Sequence, residues 1–545
     1  MDVSRGKTPS PETRAEITEL LADAPTERTH LLEYLHRVHD VRGYLDAEQL
    51  AALAEYMGLS AAEVFEVATF YHHFQLVEPG VPPAPLTIRV CDSIVCDMFG
   101  AKELLTSLEQ AMGDGVRVVS TSCIGRCQKA PAVLLGRNPV VRATPKSVQL
   151  AMDTGRTEEK LPAAQGLAAY REDGGYAVWE ECLAGERAVD DVIRQLELAD
   201  LRGLGGAGFR VARKWELVRE HAGPRILAVN ADEGEPGTFK DRHCLETEPH
   251  RMLEGALIAA WVVEASEVYI YLRDEYAGIH KLLVRELDAL RVAFPESLPT
   301  LHLRRGAGSY VCGEESAMLE SMEGQRGMPR LRPPYVAETG LFGRPTLVHN
   351  VETLFQVPEI LIRGAGWYAA QGAKGRRGRR HYSISGRVKR PGVYLAPLGV
   401  TARELINNYA HGMAKGHTLY AYLPGGAAGG ILPASLADSE LDPDSLSHFG
   451  CFLGSAGLIV LSEADSARDV ALNAMRFFAR ESCGKCTPCR VGTQETAKLM
   501  AAAAWDLPRL RELAEAMEEG SICGLGQAAS NALRCVVTHF PHELS

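Results

Sequence analysis

Eight of the thirteen cysteines in this chain fall into two groups whose spacing suits a metal centre. In the first, Cys483-Gly484-Lys485-Cys486-Thr487-Pro488-Cys489 sets three thiols at i, i+3 and i+6, and Cys523 in Ile522-Cys523-Gly524 offers a remote fourth. A loop loosened by glycine can wrap three thiolates around a [4Fe–4S] cube that a distant cysteine completes. Structural zinc also takes four cysteines, but it favours two separated C-x2-C pairs. The second group is Cys91-x4-Cys96 with Cys123-x3-Cys127. Two pairs at longer, unequal spacing suit a [2Fe–2S] rhomb, with two thiolates on each iron. Zinc stays open here too, whereas a redox dithiol would need C-x-x-C. Cys182, Cys244, Cys312, Cys451 and Cys535 have no partner at ligand spacing and read as buried thiols.

A different chemistry is suggested between Arg202 and Asp241. Gly203, Gly205, Gly206 and Gly208 free a short loop of Cβ atoms, so its amides can approach an anion. A helical pattern from Val211 to Glu220 follows and would add the partial positive charge of a helix N-terminus. The apolar run Arg225 to Val229 then reads as a buried strand delivering Asn230, Asp232 and Glu233 from its carboxyl end. Gly203-x-Gly205-x-x-Gly208 matches the dinucleotide fingerprint in letters only. That motif needs a preceding strand, and Asp191 to Leu201 reads as an amphipathic helix. A phosphate cradle of another kind is the better reading; a flexible turn is the bland one.

A third constellation runs from Arg305 to Glu315 after the strand Leu301 to Arg304. Its adjacent acids Glu314 and Glu315 follow Gly313 and could bond ribose hydroxyls or a flavin edge. Acids at a helix start look the same. Arg330, Arg332 and Tyr335 downstream offer cations and an aromatic for pyrophosphate and adenine, as could a surface loop.

The elements that must position these groups are legible in outline. Residues 1–80 read as helices, with N-caps at Asp46 and Ser60, and Pro79 to Pro83 reads as a linker. From Leu86 a small α/β layer carries its cysteines at strand ends. A larger unit alternates strands (225–229, 267–272, 301–304) with helices, a β-rich stretch follows residue 380, and the end is helical. The formal charge of −12 argues against nucleic acid, since backbone phosphates need a basic face. The basic run Lys374 to Arg380 lacks aromatics and reads as a solvated loop. No apolar run is long enough to span a membrane, and the N-terminal residues lack a secretory pattern, which suggests a cytoplasmic protein.

Clusters pass single electrons and nicotinamide exchanges hydride, while flavin can take two electrons and release them singly. A chain combining clusters with a nucleotide pocket therefore points to flavin as the converter. A non-enzymatic iron–sulfur carrier is the competing class.

With these residues in view, the chain resembles the NADH-binding flavoprotein subunit of respiratory complex I and its relatives in NAD-reducing hydrogenases and molybdenum- or tungsten-dependent formate dehydrogenases. The resemblance rests on Gly203 to Phe209 with Lys214-Trp215, Asn230 to Arg242, Gly306 to Glu315, Gly343 to Thr346 with His349 to Thr353, and the Cys483/486/489/523 set. Residues 1–150 resemble the separate thioredoxin-like [2Fe–2S] subunit, here joined in front. The chain departs from the family at Arg210-Val211-Ala212 and at Leu217.

The resemblance implies an α/β multidomain protein binding FMN, NAD(H), a [4Fe–4S] and a [2Fe–2S] cluster. Its units would be N-terminal helices (1–80), a thioredoxin-like domain (84–152), an α/β flavin and NADH domain (166–368), a β-grasp-like module (380–463) and a helical [4Fe–4S] bundle (465–545). It places the FMN phosphate and ribityl chain on Gly203, Gly205, Gly206 and Lys214, with His349 and Asn350 nearby. The isoalloxazine would meet Asn230, Asp232, Glu233, Gly313 and Glu314. NADH would meet Phe209, Glu235, Glu315, Arg332 and Tyr335. Glu314 would tune the flavin and Glu315 hold the nicotinamide ribose. Tyr269 to Tyr276 and Arg326 to Val336 look most like the formate dehydrogenase β subunit, which implies a molybdopterin-bearing α subunit as partner.

Overall fold

The computed structural model describes residues 8–22, 24–77, 84–113 and 115–544. The linker read at Pro79 to Pro83 lies outside them.

Four helices come first: Pro11–Leu20, Leu31–Arg42, Ala47–Met57 and Ala61–Phe70. Capping boxes start the last two, Asp46 with Gln49 and Ser60 with Glu63, as their sequence expects. Leu35, Leu50, Leu53 and Val64 are buried among them. These helices also dock on the large unit. Tyr71 donates to Ser321 Oγ at 2.8 Å, and Arg304 reaches Glu33 at 2.5 Å.

Strands β1 (Leu86–Cys91), β2 (Val116–Thr121), β3 (Ala132–Leu135) and β4 (Asn138–Val141) form a sheet in the order β2-β1-β3-β4. β1 and β2 are parallel and need the crossover helix Ala101–Ala111 between them, whereas β3 and β4 run antiparallel.

Strands β5 (Arg225–Ala231), β6 (Ala265–Leu272), β7 (Thr300–Arg305) and β8 (Thr346–Asn350) form an all-parallel sheet ordered β7-β6-β5-β8. The order reverses at β5, which puts a crevice at the carboxyl ends of β5 and β8. Asn230 and Asn350 are register partners there. β8 has no counterpart among the strands read from sequence.

Strands β9 (Arg379–Gly386), β10 (Gly392–Pro397), β11 (Leu419–Leu423), β12 (Leu432–Pro433) and β13 (Gly457–Ser462) make a mixed sheet ordered β10-β9-β13-β11-β12. The basic run is not wholly solvated: Arg376 pairs with Asp442 and Asp444 at 2.8 Å, and Arg380 is buried in β9. Helices Ala467–Glu481, Thr487–Met500, Leu507–Gly520, Gly524–Ala528 and Asn531–His539 complete the chain. Among the described residues no helix is long and apolar enough to cross a membrane.

Candidate functional site

The glycine loop is preceded by the helix Val189–Ala199, not by a strand, so the dinucleotide fingerprint lacks its context here as expected. Gly203 N donates to Phe209 O at 2.8 Å and closes the loop ahead of the helix Val211–Arg219. Leu204 anchors it: the side chain is buried, its N–H meets Thr353 Oγ1 at 2.9 Å, and its carbonyl accepts from Arg380 at 2.9 Å. Gly206 and Gly208 have φ of +145° and +66°, with open space where a Cβ would stand. Gly205 faces inward, where a Cβ would lie 2.8 Å from Asn350 Cβ.

Asn350 is the floor of this cradle. It caps the helix Val351–Arg363 through Glu352 N at 3.0 Å, and its amide donates to Asp241 Oδ2 at 2.6 Å. Lys240 lies beneath, 1% exposed, with its ammonium 3.3 Å from Asn350 Oδ1, 2.7 Å from Asp241 and 3.1 Å from Glu352. Burial pushes the Glu352 carboxyl up, but Lys240, His381 and Arg380 hold it down at about 2. Trp215 Nε1 donates to His349 Nε2 at 2.7 Å. Burial, and then Lys214, keep that imidazole neutral.

Lys214 pairs with Glu315 at 3.1 Å, and Arg332 spans Glu314 at 2.6 Å and Glu315 at 3.0 Å. Glu314 also caps the helix Glu315–Met322, accepting from Ser316 N and Ala317 N at 3.0 and 2.9 Å. The bland and functional readings of this acid thus coexist: one oxygen caps, and the other meets Arg332. Asn230 Nδ2 donates to Gly313 O at 2.9 Å, and a Cβ at Gly313 would meet Asp232 O at 3.1 Å. Phe209 and Tyr335 stand 49% and 59% exposed on the loops that carry Gly208 and Arg332.

Glu233 and Glu235 turn inward. Glu233 accepts from Asp241 N, Arg242 N and Tyr276 OH at 2.8, 3.1 and 3.0 Å. Glu235 accepts from Tyr310 OH and, at 2.8 Å, from Ala428 N. Burial raises each carboxyl to about 7. Asp232 lines a cavity of about 220 Å³ with Cys123, Arg273 and Glu481. Among the described residues its Oδ2 has no partner. Burial raises this carboxyl to about 8, with Arg273 opposing. The folded chain therefore binds a proton that the unfolded chain releases near pH 4. Stability from this group is lost as pH rises from about 4 to about 8, then levels. Asp232→Asn is expected to gain thermal stability over the parent across that window, with a flat difference above about pH 8. Melting midpoints at pH 5, 7 and 9 check this.

Cys91 ends β1, Cys96 lies on the helix Ile94–Met98, Cys123 follows β2 and Cys127 opens the turn Cys127–Lys129. All four are buried and convergent: Cys123 and Cys127 Sγ are 3.4 Å apart, and Cys91 contacts both Cys96 and Cys123. Gly125 N and Gly237 N each lie 3.4 Å from a sulfur, of Cys123 and Cys127 respectively. Gly237 belongs to the loop that carries Glu235, so the set abuts the cradle unit directly. Arg273 binds both Cys123 O, at 2.6 Å, and Glu233 O.

In the second set, Cys486 caps the helix Thr487–Met500, Cys489 lies in its first turn and Cys523 opens Gly524–Ala528. Cys483 follows Ala467–Glu481. The sulfurs of Cys486 and Cys489 are in contact, and Cys523 faces Cys483 and Glu314. A Cβ at Gly526 would lie 2.8 Å from Cys489 Cβ, so glycine lets the short helix close over the set.

Sequence reasoning missed the residues that join the three places. Glu481, two residues before Cys483, accepts from Ser122, beside Cys123, and from Tyr310 N at 2.9 Å. Tyr310 lies against Phe477, with ring centroids 4.9 Å apart. Lys485 reaches Pro329 O at 2.7 Å. Arg273, in a charged triplet at the end of β6, was the one with a visible signal. Of the unassigned cysteines, Cys451 and Cys535 lie together, Sγ to Sγ 3.4 Å, and all five are buried.

Comparison with known proteins assigns these parts. Residues 196–359 match the Nuo51 FMN-binding domain, 17–156 the thioredoxin-like [2Fe–2S] ferredoxin family, and 469–545 the NADH-ubiquinone oxidoreductase-F iron-sulfur binding region. The F 2 subunit of the NADH-quinone oxidoreductase of Rhizobium meliloti is 39% identical over 401 residues, covering 70% of this chain and 94% of that protein. The F subunit of the Aquifex aeolicus NADH-quinone oxidoreductase is 38% identical, covering 70% and 92%. A chain of an NAD+-reducing [NiFe]-hydrogenase in its H2-reduced state superposes with a TM-score of 0.83 at 34% identity, covering 95% of this chain and 92% of that one. The donor sets fit the groups these families carry: two convergent cysteine quartets, and a Cβ-free loop beside a lysine for a phosphate. The chain therefore belongs to the F-subunit family of NADH-quinone oxidoreductases, as an FMN- and NADH-binding oxidoreductase chain with a fused thioredoxin-like [2Fe–2S] domain and a [4Fe–4S] region.

Proposed function

We propose that this chain is the NAD(H)-exchanging electron-transfer subunit of a cytoplasmic NAD-dependent formate dehydrogenase, whose catalytic α subunit carries molybdenum or tungsten. The observation behind the electron-transfer role is Glu481, which ties Ser122, Tyr310 and the Cys483 loop into one junction between both cysteine sets and the cradle. The choice of formate rests on the stretches Tyr269 to Tyr276 and Arg326 to Val336. On this reading the chain divides into the five units expected above, 1–80, 84–152, 166–368, 380–463 and 465–545. When bound, FMN supplies the exchange between hydride and single electrons.

The chain's own residues orient and exclude. Gly203, Gly205, Gly206 and Lys214 receive the phosphate end, over Asn350 and beside the neutral His349. Asn230, Asp232, Glu233, Gly313 and Glu314 border the ring, with Glu233 acting through the loop it braces. Phe209, Glu315, Arg332 and Tyr335 meet the nicotinamide nucleotide, with Glu235 acting through the Tyr310 and Ala428 contacts it holds, and Glu314 and Glu315 stand nearest the exchange. No strong acid or base is required; positioning is the task.

Two outcomes follow. Gly205→Ala forces a Cβ against Asn350 and should weaken FMN retention about tenfold, read as flavin per chain after dialysis. Glu315→Gln removes one charge from the Lys214–Arg332 pair and should raise the KM for NADH with an artificial acceptor about tenfold, leaving flavin content unchanged.

A second reading, the diaphorase chain of an NAD-reducing [NiFe]-hydrogenase, is favoured by the structural match over 95% of this chain. Purifying the native complex separates the two. Stoichiometric molybdenum or tungsten with NAD+-dependent formate oxidation supports the proposal. Nickel with hydrogen oxidation replaces it with the second reading.

A further inference from the structure

On the far side of the large unit from the glycine loop's own helix, the helix Leu31–Arg42 meets the carboxyl ends of β6 and β7. His36 and Asp40 stand at i and i+4 on that helix, so they share a face. His73, beyond the helix Ala61–Phe70, packs its ring 5.1 Å from that of His36. One ligand atom from each of His36, Asp40 and His73 lies within 4.8 Å of the others.

The protons on these rings are placed by their neighbours. His36 Nε2 lies 2.9 Å from Gly306 O, and a carbonyl can only accept, so Nε2 carries the hydrogen and Nδ1 is a bare lone pair. His73 Nδ1 lies 2.5 Å from the Asp274 carboxylate, which leaves Nε2 as its second nitrogen. Among the described residues neither His36 Nδ1 nor His73 Nε2 has a hydrogen-bond partner. His36 is 4% exposed and the His73 side chain 9%. Two buried imidazoles thus lie side by side, each with one unpartnered nitrogen and each held at the other by a carbonyl or a carboxylate. That backing is the pattern that orients histidines on a metal. Burial, with Arg305 and His73, keeps His36 neutral, which is its ligating form.

We propose that His36, His73 and Asp40 bind a divalent transition-metal ion, most naturally Zn²⁺, with the remaining position left to water. Two imidazoles and a carboxylate are a borderline donor set that suits zinc and excludes magnesium or calcium. Arg305 holds both oxygens of Asp40, at 2.5 and 3.2 Å, and also pairs with Asp274. A carboxylate oxygen has a second lone pair, so Asp40 serves arginine and metal together. Asp40 is 39% exposed at the side chain and provides the path of entry. His39 is not a ligand: its Nε2 accepts from Gln75 N at 3.2 Å. A bound ion would tie the helix Leu31–Arg42 to the segment after Ala61–Phe70, while Gly306, Asp274 and Arg305 hold the ligands from the sheet unit. None of the three ligands is a cysteine-set residue, although His73 and Asp274 also line the cavity that Cys123 borders.

The test uses the whole protein with its flavin and clusters, stripped by a mild chelator and then titrated with Zn²⁺. Expected is uptake of about one zinc per chain, with X-ray absorption showing nitrogen and oxygen neighbours near 2.0 Å and an imidazole signature. Asp40→Asn and His73→Gln should each weaken zinc binding at least about tenfold while iron content stays constant. Asp40 is half-exposed, so its variant folds even if the histidine variant does not. Zinc neighbours at about 2.3 Å, the sulfur distance, would overturn the proposal. So would no uptake at micromolar zinc, or full retention by both variants.

Discussion

Cys523→Ser should leave this chain able to oxidise NADH but unable to pass the electrons on. Cys523 is the remote ligand of its set, held at the start of Gly524–Ala528 with the amides of Leu525 and Gly526 aimed at its sulfur. Burial raises its thiol to about 12 in the absence of iron, so cluster assembly must displace a proton from a site that resists ionisation. A serine hydroxyl is a still weaker acid and cannot replace it. Iron per chain should fall from about six to about two, the quantity of the remaining [2Fe–2S] centre. The four-iron paramagnetic signal should vanish. Reduction of ferricyanide by NADH should stay within a factor of about three, while delivery to the catalytic partner should fall at least about a hundredfold. Parallel iron analysis and the two assays on the purified complex check this. Equal loss in both assays would show that the cluster supports the nucleotide site rather than the exit.

Lys240→Met should be the most destabilising single change near the cradle. Lys240 is the only cation in contact with both Asp241 and Glu352 among the described residues, and it supports Asn350. Burial opposes its charge, but Asp241, Glu352 and Glu233 raise its pKa above the ordinary value. Removing it strands two buried carboxylates, a change that costs about 3–5 kcal/mol. A fall in melting midpoint on the order of 10 °C is expected at pH 7, with loss of flavin. The pH dependence has a definite sign. Glu352 is held at about 2, so in the parent its contribution is present above about pH 4.5 and lost as pH falls towards 2. In the variant the carboxylate has lost its ammonium and keeps only the weaker support of His381 and Arg380, so ionisation contributes less. The difference between the two proteins should therefore shrink below about pH 4.5. Lys240→Met with Glu352→Gln should recover part of the loss, and scanning calorimetry at pH 4 and pH 7 measures both.

These two sites show what the sequence could reveal. The Cys483/486/489 group was legible because metal ligands on one loop leave a spacing signature, and Cys523 could be attached by its glycine context. The glycine loop and the end of β5 were legible because backbone geometry and strand polarity are local properties. Lys240 was not, for a Lys-Asp pair reads as surface until the helix Val351–Arg363 brings Glu352 over it. β8 was missed because five residues after Pro345 have too little length to declare a strand. It nevertheless sets the reversal of strand order that puts Asn350 beside Asn230. Glu481 and Tyr310 lie 171 residues apart along the chain, and their bond has no local signal. The His36, Asp40 and His73 cluster is of the same kind, since only the docking of the N-terminal helices brings it together.

The glycine cradle over Asn350 is proposed as the place where paired and single electrons meet, and the visible spectrum of the purified chain tests that most directly. Anaerobic addition of NADH should bleach the flavin band at about 450 nm and reduce the iron–sulfur absorbance with it. A preparation that shows iron–sulfur absorbance alone, unchanged by NADH, would contradict the account and leave an electron carrier without a nucleotide site.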